Sequence, residues 1–298
     1  MSTEELSGKT DTDRVMIPSW TERFPDRSVL RREAESMALT FVDVLLEDLG
    51  RQEIEGIYLK GSAQKEWESP LDYVPELSDV DIHLLLVDGS PVLERLRDPG
   101  KGLELQSRVE SVYCRENPTP LHMPRPQLIL LNMLELEEDY IPSPLSTIRV
   151  LFGRDYPKGD YSQADLIRRM DCRRLAGEEG YLRDFGLGVI DKPGKYLWTS
   201  LRSISWHVSP SGPRILSLLG VPPEEAWSVN RTRAVAMLGE RGEEAAARDY
   251  ADYYTQGWAF FLSGGRDNGA ARFALSSGLG VLKRGVEVAG EWLRGQQS

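Results

Sequence analysis

The sequence predicts an α+β chain, with a small mixed-sheet domain followed by an all-helical domain. Three observations predict it. Short apolar runs of strand length, bounded by Gly and Pro, recur as far as Gly153. Beyond Asp160 the apolar period lengthens to that of helices. Between the two lies Gly153 to Asp160, a short polar join carrying Gly and Pro. The expected division is a poorly ordered tail over residues 1–25, a sheet domain over 26–157 and a helical domain over 158–298.

The elements follow in order. Met1 to Asp13 is polar and acidic, without an apolar stretch, and is expected to be disordered. Arg27 to Leu49 reads as an amphipathic helix, with Leu30, Met37, Phe41, Val44 and Leu45 near helical spacing and Gly50 as its stop. Ile54 to Leu59 is a strand. Ser69-Pro70 and Val74-Pro75 break regular structure, so the next interval is largely loop. Val80 to Val87 is the central strand. Pro91 opens a short helix, and Leu103 to Arg115 is another. After the Pro118–Pro126 segment, Gln127 to Leu131 and Leu145 to Phe152 read as the third and fourth strands. Helices are expected over 161–183, 191–207, 213–220, 223–239, 242–263 and 268–294.

Composition narrows the class. In 298 residues, 40% are hydrophobic and 28% charged, as in a soluble globular protein. No run of eighteen apolar residues occurs, so no membrane partner is expected. The N-terminus lacks the apolar region of a secretory signal, and Cys114 and Cys172 match no zinc spacing. A cytoplasmic protein with two reduced thiols is the expectation. The net charge of −11 is lopsided: residues 1–160 hold 31 acids against 18 bases, and the remainder 16 against 18. The acidic half argues against a nucleic-acid partner and would suit a cationic small molecule.

Two motifs carry chemistry. Tyr58-Leu-Lys-Gly-Ser62 ends a strand in a Gly-Ser corner, read as strand-to-helix, whose N–H groups and hydroxyl suit phosphate oxygens. Ser78-Asp-Val-Asp-Ile-His83 sets two aspartates on one face of the next strand, with Val80 and Ile82 turned to the core. Two adjacent carboxylates repel unless a cation lies between them, and Mg2+ shared with substrate phosphates is the usual answer. Together the motifs read as a metal-dependent nucleotide site. Lys60 and Lys65 flank the corner and are candidates to neutralise phosphate.

Gly-Ser followed by an Asp-apolar-Asp-apolar strand resembles the signature of the nucleotidyltransferase superfamily that includes DNA polymerase beta. Within it the chain looks most like the bacterial aminoglycoside nucleotidyltransferases, a likeness carried by residues 30 to 155. Gly61, Ser62, Asp79 and Asp81 match residue by residue, and Thr147 to Asp155 is similar to the strand and Gly turn that close the catalytic domain. Trp67 to Pro75 looks inserted. The resemblance implies an Mg2+-dependent enzyme that moves AMP from ATP to a hydroxyl of a small polar acceptor such as an aminoglycoside, an antibiotic-resistance-like activity. Asp79 and Asp81 would be the catalytic metal ligands, with Gly61, Ser62 and Lys65 binding the nucleotide. Family members carry a third carboxylate on a later strand, where this chain offers Gln127. Glu104, Glu135 and Glu137 are the other acids considered, and a catalytically degenerate nucleotide-binding protein is the alternative.

Other residues invite plainer readings. His83 shares a face with Asp81 and reads as a half-buried sheet histidine, with nucleotide contact as the alternative. His122 has no assigned role, and Arg149 and Arg154 read as exposed. Arg202 and His207 resemble the paired residues of HEPN ribonucleases, implying a toxin–antitoxin type of protein if they face each other. Tyr250, Tyr253, Tyr254, Trp258, Phe260 and Phe261 read as helix–helix core.

Overall fold

Alternation along the strands decides what each face of the sheet does. In the computed structural model, which describes residues 15–21, 23–137 and 140–296, four strands form one sheet. They are β1 (Ile54–Lys60), β2 (Asp79–Leu86), β3 (Arg125–Leu130) and β4 (Arg149–Gly153), in the order β3-β2-β1-β4. β1 runs antiparallel to both β2 and β4, whereas β3 lies parallel to β2. Val80, Ile82, Leu84 and Leu86 of β2 enter the main core with Ile57 and Leu59 of β1. Tyr58 and Leu85 belong to a separate cluster with Leu131 and Tyr156, on the face shared by Asp79, Asp81 and His83.

Helix α1 (Arg27–Leu49) covers the core face. Asp26 caps it by accepting from the Ser28 N–H (2.6 Å), and Leu30, Met37 and Leu45 are fully buried beneath it. α2 (Val92–Arg97) and α3 (Pro99–Glu116) follow β2, α3 packing on α1, and α4 (Leu131–Leu134) is one turn after β3. The helical half comprises α5 (Ala164–Val189), α6 (Leu197–Leu218), α7 (Pro223–Ser228), α8 (Arg231–Glu240), α9 (Glu244–Leu262) and α10 (Asn268–Gly295). One continuous core runs through both halves. The expected aromatic core of α9 is borne out, with Tyr250, Tyr253, Tyr254, Trp258 and Phe260 fully buried.

Several expectations are corrected. The helix read as ending at residue 207 continues as α6 through Pro210 and Pro213. Pro213 has no N–H for the Ser209 carbonyl, and the Tyr250 hydroxyl donates to that carbonyl instead (2.9 Å). The helix expected over 223–239 divides into α7 and α8, because Asn230 turns its side chain to cap α8 at the Arg233 N–H (2.8 Å). Gly61–Ser62 opens no helix. The Gln64 and Lys65 N–H groups both donate to Gly61 O (3.1 Å), making a single turn. Of the expected tail, residues 1–14 lie outside the described residues. Of the described residues that remain, Val15, Ile17 and Trp20 pack against the core, and Phe24 is buried.

The apparent insertion between the motifs joins the halves. Asp72 accepts from Thr232 N–H (2.9 Å) and Thr232 hydroxyl (2.7 Å), and Trp258 Nε1 donates to Pro70 O (2.7 Å). The Arg231 guanidinium donates to Leu71 O (3.1 Å) and to Ser78 Oγ (2.9 Å), one residue before Asp79. A charged group buried this way is tolerable where such acceptors replace bonds to water.

Candidate active site

Register delivers the acids to one point. Asp81 on β2 stands opposite Lys60 on β1 and opposite Gln127 on β3. With its amide oriented to suit its neighbours, Gln127 donates from one nitrogen to Asp79 Oδ2 and to Asp81 Oδ1, each at 3.0 Å. The two carboxylates therefore converge on a position close enough for a single small ion to touch both. Gln127 lies beside both acids, on the strand where the resemblance implies a third carboxylate.

Cations of the protein surround this pair. From α6, Arg202 Nη2 bonds Asp79 Oδ1, while its Nη1 donates to Leu77 O (3.1 Å) and Glu76 O (3.3 Å). Glu76 has a φ of +68, a left-handed conformation unusual for a residue with a side chain, in the loop that turns these carbonyls to Arg202. Arg125 Nε lies 3.8 Å from Asp79 Oδ1. Burial pushes the Asp81 carboxyl up to about 6, with Lys60 opposing the shift and Asp79 adding to it. Burial likewise lowers the Lys60 ammonium, which Asp81 partly restores.

The Gly-Ser corner adjoins the acids. Gly61 has a φ of +75, and a Cβ there would overlap Asp81 Oδ2, so only glycine fits beside the carboxylate. Arg31 of α1 holds the turn by donating to Ala63 O (2.8 Å) and Lys65 O (2.9 Å). Lys65 departs from expectation. Its Nζ donates to Trp227 O (2.8 Å) and Val229 O (2.7 Å) at the end of α7, fastening the corner to the helical half. A buried ammonium must find acceptors, and those nearest are carbonyls; burial lowers it to about 8.

These residues form one wall of a cavity of about 890 Å3 between the sheet and the helices. Lys60, Gly61, Ser62, Asp79, Asp81 and Gln127 line it from the sheet half, and Asp171, Arg174, Arg214 and Trp227 from the helical half. The lining mixes acids with bases, rather than carrying the acidic surplus of the surrounding half.

The remaining candidates have other partners. His83 Nδ1 meets the Tyr156 hydroxyl (3.0 Å), and burial lowers the ring to about 2, so it is a neutral member of the sheet face. His122 is held by Glu33 (2.9 Å) and by the Tyr73 hydroxyl (3.0 Å), pinning its Pro-rich loop to α1. Arg149 and Arg154 pair with Glu35 (2.7 Å) and Glu55 (2.9 Å). Arg202 and His207 are not brought together: His207 bonds Glu178 (2.6 Å) and stacks on Tyr181 at 3.9 Å, while Arg202 serves Asp79. Lys101 holds Glu104 (2.7 Å) on α3, and Glu137 lies 3.6 Å from Arg174, both in the cavity lining.

The donor set fits a hard cation. Two carboxylates share one approach, and a turn of the Gln127 amide would offer a third oxygen. Among the described residues no group of three or more His, Cys, Asp or Glu that could hold a metal ion is found. Sequence reasoning missed Asp171, although Ile167, Asp171 and Leu175 share one buried stripe of α5. An acid on an apolar stripe is the signal that marks it.

No protein-family model, curated protein or solved structure matches the chain. Among the described residues no helix is long and apolar enough to cross a membrane.

Proposed function

We propose that the protein is a nucleotidyltransferase, moving a nucleoside monophosphate from a triphosphate, ATP by resemblance, to a hydroxyl of a small polar acceptor. One observation carries this reading: Asp79 and Asp81 converge on a single position beside the Gly61–Ser62 turn, on the wall of a cavity large enough for two substrates. Asp79, Asp81 and the Gln127 amide oxygen would hold Mg2+. Bound there, the ion would neutralise charge on the reacting phosphate and on the departing pyrophosphate. The Gly61–Ser62 turn would receive the β- and γ-phosphates, and Arg125 and Arg202 would balance their remaining charge. Lys65 would contribute by fixing this corner against α7. Gln127 has no atom that takes a proton at neutral pH, so it orients and does not act as base.

That same amide supports a second reading, a protein that binds the nucleotide without transferring it. Both readings require donor binding. The test is thermal denaturation with Mg2+ and each ribonucleoside triphosphate, for the native chain and for Asp79→Ala/Asp81→Ala. Binding at a hundredfold excess over Kd raises stability by about 2.7 kcal/mol. A shift that needs both metal and one triphosphate, and is absent from the variant, supports a donor site. No shift with any triphosphate rejects both readings. Pyrophosphate release in the presence of an acceptor separates transfer from binding alone.

A further inference from the structure

The helical side of the cavity holds polar groups that the donor site does not use. Asp171 of α5 is only 4% exposed, and its Oδ2 has no hydrogen-bond partner. The Arg214 side chain of α6 is 17% exposed, and its Nε, also without a partner, lies 3.9 Å from Asp171 Oδ1. That separation is too long for a hydrogen bond, so these two atoms are buried without a partner, although Ser217 and Trp227 approach the carboxyl. Burial raises the Asp171 carboxyl to about 6, with Ser217, Arg214 and Trp227 opposing the shift. Trp227 approaches Arg214 with 5.7 Å between the guanidinium carbon and the ring centre. All three residues line the cavity. A buried acid and base left unmet beside an aromatic ring are what a bound molecule completes.

We propose that this side of the cavity is a subsite for an uncharged polyhydroxylated ring, bound by Asp171 and Arg214 with a ring face against Trp227. Charge argues for neutrality. Each acid on this wall faces a base, Asp171 with Arg214 and Glu137 with Arg174 at 3.6 Å. An ammonium brought to Asp171 would also meet the Arg214 guanidinium, and a polycation would meet Arg174 as well. A hydroxyl meets neither difficulty. It donates to Asp171 Oδ2, and a neighbouring oxygen accepts from Arg214 Nε. The C–H face of a sugar or cyclitol is apolar enough to lie on an indole. The inference rests on the transfer reading only where it makes this ring the acceptor.

The test is calorimetric titration of the full chain without nucleotide. Glucose, trehalose and myo-inositol are compared with glucosamine and kanamycin, on the native protein, Asp171→Asn and Arg214→Gln. Circular dichroism establishes that each variant is folded, and two variants guard against the loss of one. At least one neutral ring is expected to bind, roughly tenfold more weakly in both variants because each leaves a buried partner unmet. Tighter binding of the aminated compounds overturns the proposal. So does neutral-ring binding that both variants retain, or the absence of binding by any neutral ring. The triphosphate midpoint shift is measured on the same proteins. Its loss in the native chain rejects the donor site alone, whereas a retained shift without ring binding rejects the subsite alone.

Discussion

Arg202 on α6 bonds Asp79 on β2, so the helical half supplies the counter-charge for an acid of the sheet half. Gln127, a neutral amide on β3, lies between Asp79 and Asp81 and donates a hydrogen bond to each. In the free protein these two side chains stand where a cation would be needed. An ion entering alone must displace Arg202 and turn the Gln127 amide, and an ion entering with a triphosphate offers Arg202 a new anion in exchange. Metal and nucleotide are therefore expected to bind together.

Arg202→Gln tests this exchange. The free variant should lose roughly 2–4 kcal/mol of stability, below the range for a fully buried pair because Arg202 keeps 19% side-chain exposure. Mg2+ alone should raise its thermal midpoint but leave that of the native protein nearly unchanged. An Mg2+ response of equal size in both proteins would count against the exchange.

Gln127→Glu puts a third acid beside two others. Like-charge repulsion should cost the metal-free protein about 1–3 kcal/mol. Millimolar Mg2+ should return most of that loss, read as the difference between urea midpoints with and without EDTA. A variant that is unaffected by Mg2+ would show that the three side chains do not share an ion.

Gly61→Ala combines a φ of +75 with an overlap on Asp81 Oδ2. A loss of about 1–3 kcal/mol is expected from the backbone alone. Displacement of Asp81 should also abolish any triphosphate-dependent midpoint shift. Retention of both stability and shift would show that the turn and the carboxylate move independently.

Asp171 should leave a mark on the pH dependence of stability. Its folded pKa, about 6, is raised above the ordinary value of 3.8, chiefly by burial. Between those values the native state binds more protons than the unfolded state, so this group makes stability fall as pH rises from about 4 to 6. Above that window its contribution is constant. Asp171→Asn should flatten this part of the profile, as measured by urea denaturation at pH steps. An unchanged slope would mean that the carboxyl titrates normally.

Local rules made much of the fold legible. The period-two pattern placed Val80 and Ile82 in the core and Asp79 and Asp81 together, because successive side chains on a strand must diverge. The same rule aligned Gln127 with the pair once its strand lay beside β2. Helix ends were less legible where distant groups replaced local signals. At Pro213 in α6 the Tyr250 hydroxyl, 41 positions from Ser209, reaches the carbonyl that the proline leaves free.

The sequence alone determined the strand faces, the order of a sheet half before a helical half, and the adjacency of an acid pair to a Gly-Ser corner. These follow from side-chain alternation, apolar period and glycine's backbone freedom, which act over a few residues. Tertiary structure alone decided the partners. Lys65 serves carbonyls of the 227–229 segment, Arg202 meets an acid 123 positions away, and Asp171 faces Arg214 across two helices. A charge leaving water takes the nearest group that can satisfy it, and packing, not sequence order, decides which group that is.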